Sequence, residues 1–215
     1  MEKKIRLSTP LEEEEIKKLR LGDIVYLSGD VYTARDKAHH RIIEYEKRGA
    51  EIPIKKGAVI YHCGPLVRRQ RRIDRGDWEI VAAGPTTSAR MNAVTPTVIE
   101  KLRIRAIIGK GGMGIPTRDA MCKYGCVYFA ITGGAAVLAA TQIKSIKAVY
   151  WEDLGMAEAV WHFLLDDFGP LVVCIDANRN NLQEEIEEEA RRKVLAYLTE
   201  FRNKKNKKMY HKRKS

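Results

Sequence analysis

The chain has 215 residues, of which 45% are hydrophobic and 31% charged, and its formal net charge is +11. This length and composition suit one sizeable domain with a hydrophobic core. No run of eighteen apolar residues occurs, so the sequence predicts no transmembrane helix. The first twenty residues are rich in charge and lack the apolar region of a signal peptide. We therefore expect a cytoplasmic protein with no membrane partner.

The positive charge is concentrated at the carboxyl end. Residues 201–215, FRNKKNKKMYHKRKS, hold eight Lys or Arg and no acid, and subtracting these eight from +11 leaves +3 for the rest of the chain. Such a composition favours a disordered, solvated tail. A salt-sensitive contact with RNA or an acidic partner is the less favoured alternative. We expect one domain over residues 1–200 and a basic, disordered tail over 201–215.

The four cysteines do not have the spacing of a metal site. Cys63, Cys122, Cys126 and Cys174 match no zinc-ribbon or ferredoxin pattern, since three residues rather than two separate Cys122 from Cys126. Cys174 lies in the apolar run LVVCID, where a small buried thiol is expected. The sequence thus predicts no metal site formed by this chain alone.

Periodicity and turn residues predict alternating helices and strands. In the first half of the chain they predict a helix at LEEEEIKKLR, a strand at DIVYLSGDVYTA, a helix over residues 35–48 ended by Gly49, and strands at GAVIYHCGP and WEIVAAGP. A helix follows from near Thr97, because Pro96 limits an earlier one.

The second half is predicted to continue this alternation. The expected elements are a strand at RAIIGKGGMG, a helix at TRDAMCKYG, a strand at CVYFAITGG, a helix at AAVLAATQIKSI, a strand at SIKAVYWEDLG, a helix at MAEAVWHFLLDDF, a strand at PLVVCIDANRN and a long charged helix from QEEIEEEARRK onwards. These strands and helices, in mixed order, predict a layered α/β domain.

Small and polar residues follow several of the predicted strands. The four strand ends are VYTAR at 31–35, GPTTSAR at 84–90, GKGGM at 109–113 and TGGAA at 132–136. Glycine allows backbone N–H groups to approach a ligand, and the Arg and Lys side chains suit carboxylates. The spacing of nucleotide-binding loops is absent. Any one of these glycine runs could be an ordinary turn; together they indicate a site for a small dianion.

Several stretches, in order and from about residue 9 to about residue 185, resemble the β region of the iron–sulfur hydro-lyases of the class I fumarate hydratase and L-tartrate dehydratase type. The stretches that carry the resemblance are GDIVYLSG at 22–29, VYTARDKAH at 31–39, YHCGP at 61–65, GPTTSARM at 84–91, IGKGGM at 108–113, TGGAA at 132–136, YWEDLGMAEAVW at 150–161 and IDANRNNL at 175–182. GPTTSARM together with GKGGM is the most distinctive combination.

The resemblance implies a fold, an activity and a partner. The implied fold is the three-layer β/β/α swivelling domain of the C-terminal region of class I fumarases. The implied role is that of a separate β subunit, inactive without an α subunit that carries the [4Fe–4S] cluster, in an α2β2 assembly. The implied reaction is the reversible hydration of fumarate to (S)-malate, which is favoured because it is the commoner role of two-subunit members. Dehydration of L-tartrate to oxaloacetate is the alternative, and a non-catalytic binding module with an RNA-contacting tail ranks lower.

The resemblance also implies roles for individual residues. Arg35, Arg90 and Lys110 are expected to bind the substrate carboxylates. Thr86 and Arg90 are expected to be catalytic, with Thr86 exchanging the proton on the carbon next to a carboxylate. A threonine hydroxyl is a poor base unless nearby positive charge stabilises its alkoxide, and a role for Thr86 as a helix cap stays open.

Two further residues are expected to support the site without binding the substrate. Asp36 is expected to orient Arg35, and His39 is expected to be a surface histidine or a supporting hydrogen bonder rather than a catalytic acid. Asn92 stands where an acid is common in proteins of this kind.

Overall fold

In the computed structural model, the described residues are 4–69 and 78–212, with side chains described up to residue 202. The chain divides into two compact units at Asn180. The first unit contains all the strands that the structure describes and five of the helices, and the second consists mainly of one long helix.

Nine strands occur within the described ranges. They are β1 (Lys4–Ser8), β2 (Ile24–Thr33), β3 (Val59–Tyr61), β4 (Leu66–Arg69), β5 (Trp78–Ala82), β6 (Ala106–Gly109), β7 (Val127–Ala130), β8 (Ile143–Tyr150) and β9 (Val160–Ile175).

Five of the strands close into a small barrel. In the larger sheet the order is β1-β2-β3-β6-β7-β9-β8, and β9 pairs with β2 as well as with β7. The pairs from β1 to β7 are parallel, whereas β9 runs antiparallel to β2, β7 and β8. β4 and β5 form a separate antiparallel pair. The prediction of a mixed α/β fold is confirmed, with a closed ring of β2, β3, β6, β7 and β9.

Helices connect the parallel strands, as a parallel crossover requires. The helices are α1 (Glu13–Lys18), α2 (Asp36–Arg48), α3 (Thr95–Leu102), α4 (Ile115–Tyr124), α5 (Ala136–Thr141) and α6 (Leu182–Lys212), with short 3₁₀ helices at Ser88–Met91 and Glu152–Leu154. Gly49 and Gly125 end α2 and α4 in the left-handed conformation, at φ 64° and 67°. α2, α3 and α4 link β2, β3, β6 and β7 in chain order.

The parallel strands are buried on both faces. Val59 and Tyr61 of β3 belong to one hydrophobic cluster with the other residues of the barrel interior, whereas Ile60 belongs to a second cluster with Ile42 of α2 and Ile99 of α3. β6 and β7 alternate in the same way. Because successive side chains of a strand point to opposite faces, a strand covered on both sides needs apolar residues at every position. This explains the uninterrupted apolar runs that the sequence shows.

The largest error in the predicted elements concerns residues 156–168. MAEAVWHFLLDDF is not a helix, because Val160–Ile175 forms one sixteen-residue strand, β9. Its apolar residues are compatible with helical spacing, but the segment pairs with β2 on one side and with β8 on the other. These two ladders supply hydrogen bonds that a local pattern does not reveal.

Smaller differences occur elsewhere. β1 and β4 were not predicted, and the helix expected to reach residue 146 ends at Thr141, where β8 soon follows. α6 continues to Lys212, and the division into a 1–200 domain and a basic tail stays a prediction. Among the described residues, no helix has both the length and the apolar character that crossing a membrane requires.

The stability of the barrel is expected to depend on its interior. Leu27 of β2 is completely buried there, whereas Leu138 of α5 is 57% exposed. Leu27→Ala should lower the free energy of unfolding by about 2–5 kcal/mol, because it removes buried methyl groups and leaves a cavity. Leu138→Ala, the matched control, should change it by less than about 0.5 kcal/mol. Chemical denaturation monitored by fluorescence would measure both, and equal effects would contradict the assignment of the core.

Candidate active site

The carboxyl ends of the parallel strands meet at one rim of the barrel. β2, β3, β6 and β7 run in the same direction, so the residues that follow them lie at the same end. Arg35 follows β2, His62 follows β3 and Lys110 follows β6. The structure thus brings two of the three predicted carboxylate-binding residues to one rim.

The segment that contains Thr86 lies between the ends of β3 and β6. The Thr86 N–H donates to the His62 carbonyl at 2.6 Å, and the Lys110 N–H donates to the Thr86 carbonyl at 3.3 Å. The Ser88 N–H in turn donates to the Lys110 carbonyl at 3.1 Å. These bonds make Thr86 and Lys110 backbone neighbours. The next 3₁₀ helix begins at Ser88, with Thr87 as its N-cap and no side-chain capping bond, so Thr86 is not the N-cap of that helix.

Arg35 lies at the N-cap of α2 in a closely packed setting. Its Nε atom is 3.4 Å from Glu158 Oε1, and its Nη1 atom is 3.5 Å from the Ala157 carbonyl oxygen. The second Glu158 oxygen accepts the Lys37 N–H at 2.9 Å, so Glu158 also holds the start of α2. Gly64 makes room for this arrangement, because a Cβ atom there would lie 2.5 Å from Arg35 Nη1.

Arg90 is held by a different carboxylate. Its Nη2 atom is 2.7 Å from Asp36 Oδ2, and both side chains are partly open to solvent. Asp36 was expected from its position to orient Arg35. In the structure Asp36 binds Arg90, and Arg35 is oriented by Glu158, which the sequence did not indicate. A guanidinium has five N–H donors, so each arginine keeps donors for a ligand.

Lys110 presents its charge beside two glycine turns. The side chain is half-buried, and its Cδ atom would lie 3.7 Å from a Cβ atom at Gly133. Gly111, the next residue, has φ 72°, a conformation that favours glycine. Within the part of the chain that the structure describes, the Lys110 ammonium group has no ion-pair partner. Of the three predicted ligand-binding cations, Lys110 is therefore the one that no carboxylate of the described residues neutralises.

A buried polar cluster lies beneath this rim. His39 Nδ1 is 2.9 Å from the Arg35 carbonyl oxygen, and since a carbonyl can only accept, Nδ1 carries the proton. His62 Nδ1 is 2.9 Å from Ser88 Oγ, to which the Tyr128 hydroxyl donates at 3.0 Å. The His39 and His62 rings meet edge to face, with centroids 5.1 Å apart. The cluster thus ties the ends of β2 and β3 to the segment that follows Thr86.

Burial keeps the two imidazoles neutral. It lowers the pKa of His39 to about 4 and the pKa of His62 well below its ordinary value. His39 is fully buried, so it is not a surface histidine. An imidazole with so low a pKa carries no extra proton near neutral pH and is a poor proton donor there. Both residues are better suited to position the rim than to transfer protons. Because His62 directly follows a strand, as Lys110 does, the strand-end pattern could have identified it.

Asn92 fastens the start of α4 to this region. Its side-chain oxygen accepts the Gly114 N–H at 3.0 Å and the Thr117 hydroxyl at 3.3 Å. A carboxylate at position 92 could accept the same two bonds, so the amide retains the tether without the negative charge. This tether fixes the end of the glycine turn that begins at Lys110.

The cysteines do not fit an iron–sulfur cluster bound by this chain. All four are free thiols, and Cys63 and Cys126 are buried. Burial raises the pKa of both thiols, which disfavours the thiolate that a cluster needs. Among the described residues, no group of three His, Cys, Asp or Glu side chains could hold a metal ion.

The cluster beneath the rim is expected to need a glycine at position 109. A Cβ atom there would lie 2.0 Å from Ser88 Oγ and 3.0 Å from the Tyr128 hydroxyl. Gly109→Ala should destabilise the fold by about 1–3 kcal/mol, as overpacking does. Gly133→Ala is the control, because its Cβ would make only an ordinary contact with Lys110. Urea unfolding would compare the two variants, and an unaffected Gly109→Ala would contradict the packing described.

Comparison with known proteins identifies the family. The Fumarase C-terminus family model matches residues 1–186. L(+)-tartrate dehydratase subunit beta of Escherichia coli is 42% identical over 178 residues, which cover 82% of this chain and 85% of that protein. A Methanocaldococcus jannaschii protein provisionally named L(+)-tartrate dehydratase subunit beta is 42% identical over 186 residues, 86% of this chain and 93% of that protein.

A longer relative is matched over part of its length. A protein of Geobacillus stearothermophilus provisionally named fumarate hydratase class I is 38% identical over 193 residues, which are 90% of this chain and 36% of that protein. The chain therefore belongs to the Fumarase C-terminus family, in the group of hydro-lyase β subunits of the L-tartrate dehydratase and class I fumarate hydratase type.

Proposed function

We propose that this chain is the β subunit of an L(+)-tartrate dehydratase. Together with an α subunit, it would remove water from tartrate to give oxaloacetate. The observation that carries the proposal is the cationic rim, where Arg35 and Lys110 follow the parallel strands β2 and β6, which lie on either side of β3, and Lys110 lies beside Thr86. Two cationic groups at one rim suit a substrate with two carboxylates.

The choice of tartrate rests on the named relatives. The proteins named as tartrate dehydratase β subunits are 42% identical to this chain and similar to it in length. The one named as a fumarate hydratase is 38% identical and much longer. This reverses the preference for fumarate drawn from the sequence, and hydration of fumarate becomes the second candidate. The two substrates differ in their hydroxyl groups, so one hydrogen-bond partner could decide between them.

The cations would act on the charge that develops during dehydration. Removing the proton on the carbon next to a carboxylate moves electron density into that carboxylate, and nearby positive charge stabilises it. Lys110 is suited to this because no carboxylate of the described residues neutralises it. Arg35 and Arg90 would bind the substrate with the N–H groups that Glu158 and Asp36 leave available.

Thr86 is proposed to accept that proton. Its backbone is bonded to that of Lys110, and it is half-buried. Its hydroxyl becomes basic only where positive charge stabilises the alkoxide, which Lys110 and Arg90 would supply. The hydroxyl on the neighbouring carbon leaves as hydroxide, which the proton accepted by Thr86 converts to water, and the enol that remains rearranges to oxaloacetate.

The remaining parts of the enzyme are proposed to come from a partner. An α subunit would hold the [4Fe–4S] cluster, which supplies a Lewis acid for the leaving hydroxyl, and two copies of each subunit would form the α2β2 assembly. The β/β/α layering of a swivelling domain is proposed for the barrel, its antiparallel strands and the crossover helices α2, α3 and α4.

Reconstitution would test the substrate. The chain would be mixed with a cluster-loaded α subunit under anaerobic conditions, and binding of the two would be measured first. We expect no turnover by the chain alone, and for the complex a kcat/KM at least about tenfold higher for L-tartrate than for fumarate or malate. A higher value for fumarate would favour the second candidate, and a bound complex that turns over neither would refute both.

Replacing Lys110 would test the rim. Lys110→Met should lower kcat/KM of the reconstituted enzyme about 10- to 100-fold, because a charged hydrogen bond to the substrate is worth about 1.5–3 kcal/mol. Lys101→Met, at an exposed position of α3, is the matched control and should leave kcat/KM unchanged. Full activity of Lys110→Met would show that the rim has been assigned wrongly, even if the substrate is right.

A further inference from the structure

Glu158 joins the segment before β9 to the start of α2. Its side chain is 16% exposed and that of Arg35, its ion-pair partner, is 21% exposed, so both charges are largely withdrawn from solvent. A carboxylate in such a place loses hydration, and this is costly unless its oxygens accept bonds from the protein. The partners of the two Glu158 oxygens therefore indicate what this carboxylate does.

Each oxygen of Glu158 faces a different donor. Oε1 lies 3.4 Å from Arg35 Nε, and Oε2 accepts the Lys37 N–H at 2.9 Å. Arg35 Nε is shielded from solvent and makes no well-aligned hydrogen bond among the described residues, so the charge on Oε1 is what compensates it. A carboxylate has two accepting oxygens, whereas an amide has one oxygen and an NH2 group that only donates. Serving both donors therefore requires a carboxylate at position 158 rather than an amide.

The contacts of Arg35 determine which of its N–H groups remain for a ligand. Nη1 lies 3.5 Å from the Ala157 carbonyl oxygen, and the side chain passes close to Gly64, where a Cβ atom would lie 2.9 Å from Arg35 Cδ. Nη2 has no acceptor among the residues that the structure describes. Since Nε and Nη1 face protein groups, Nη2 is the end of the guanidinium that is left to bind a carboxylate.

The backbone next to Glu158 is itself fixed to the end of β2. Thr33, two residues before Arg35, is completely buried. Its hydroxyl donates to the Ala159 carbonyl oxygen at 3.3 Å and accepts the Trp161 N–H at 2.9 Å. Glu158 is thus held in place relative to Arg35 by groups other than Arg35 itself, as a positioning group must be.

We propose that Glu158 is a positioning residue, which holds Arg35 so that Nη2 faces a carboxylate of the substrate. The proposal rests on the function proposed above, in which Arg35 binds a dicarboxylate. An unrestrained arginine side chain samples many rotamers, and holding it in one of them beforehand removes this entropy cost from substrate binding. Glu158 acts through Arg35, because its own negative charge would repel a dianion.

The two effects of Glu158 on a dianion have opposite signs. By its charge alone, Glu158 disfavours the bound dianion, so removing that charge would lower KM. By holding Arg35, Glu158 favours binding, so releasing Arg35 would raise KM. The direction in which KM changes therefore separates positioning from a general electrostatic effect. Because Arg35 would contact a carboxylate both before and during the reaction, the change should fall on KM rather than on kcat.

Glu158→Gln and Asp153→Asn form a matched pair of variants. Asp153 lies in the same segment and also pairs with an arginine of α2, but its partner is Arg41, through two bonds of 2.7 Å. In the reconstituted enzyme we expect Glu158→Gln to raise KM for the dicarboxylate at least about fivefold and to change kcat less than about threefold. Asp153→Asn should change neither by more than about twofold. Thermal unfolding would check that both variants are folded.

A measurement on the chain alone tests the hold on Arg35 without any turnover. The Nε–H group of an arginine gives its own signal in ¹⁵N–¹H NMR spectra, and its proton exchanges slowly with water where it is shielded and held. Arg35→Lys identifies the Arg35 signal by removing it. We expect this proton to exchange slowly in the wild type, at least about tenfold faster in Glu158→Gln, and at the wild-type rate in Asp153→Asn.

Three outcomes would overturn the proposal. The first is an Arg35 proton that exchanges rapidly in the wild type, or equally slowly in Glu158→Gln. The second is a KM that falls or stays unchanged in Glu158→Gln. The third is an equal effect of Glu158→Gln and Asp153→Asn. A complex that turns over no dicarboxylate would refute the proposed function, and the exchange measurement would still decide whether Glu158 holds Arg35.

Discussion

The pairing of β9 with both β2 and β7 is the constraint on which the rest of the first unit depends. It closes five strands into a ring and so fixes the parallel strands side by side. Their carboxyl ends then lie at one rim, and the residues after them meet although they are far apart in sequence. Arg35 and Lys110 are separated by 75 positions, yet they follow strands that have only β3 between them in the sheet.

The rim is held from behind by groups that do not themselves carry charge near neutral pH. His39 holds the Arg35 carbonyl, and His62 links the end of β3 to Ser88. Above them the arginines are charged and paired with Glu158 and Asp36. The division separates two tasks: neutral, buried side chains fix the backbone, and partly exposed cations remain for a ligand. Burying the charged groups instead would cost desolvation that the ion pairs do not return.

The sequence predicted those parts of the site that depend on local rules. Arg35 and Lys110 could be found because a buried strand followed by glycine or a helix start is visible in a few residues. Glu158 could not, since its contact with Arg35 depends on β9 lying beside β2, and the residues before β9 were predicted to be helical. Asp36 was placed near an arginine, but the neighbour in sequence was not the neighbour in space. Pairing between distant strands is what local patterns leave undetermined.

Closing the barrel leaves few strand edges unpaired in the larger sheet. Some of the basic residues of the chain lie on these edges. In the larger sheet, β1 and β8 are the terminal strands. Both carry exposed cations, Lys4 and Arg6 on β1 and Lys144 and Lys147 on β8. Charged side chains on an edge discourage pairing with another chain. We therefore expect part of the positive charge outside the C-terminal helix to oppose edge-to-edge aggregation, a role that requires neither substrate nor nucleic acid.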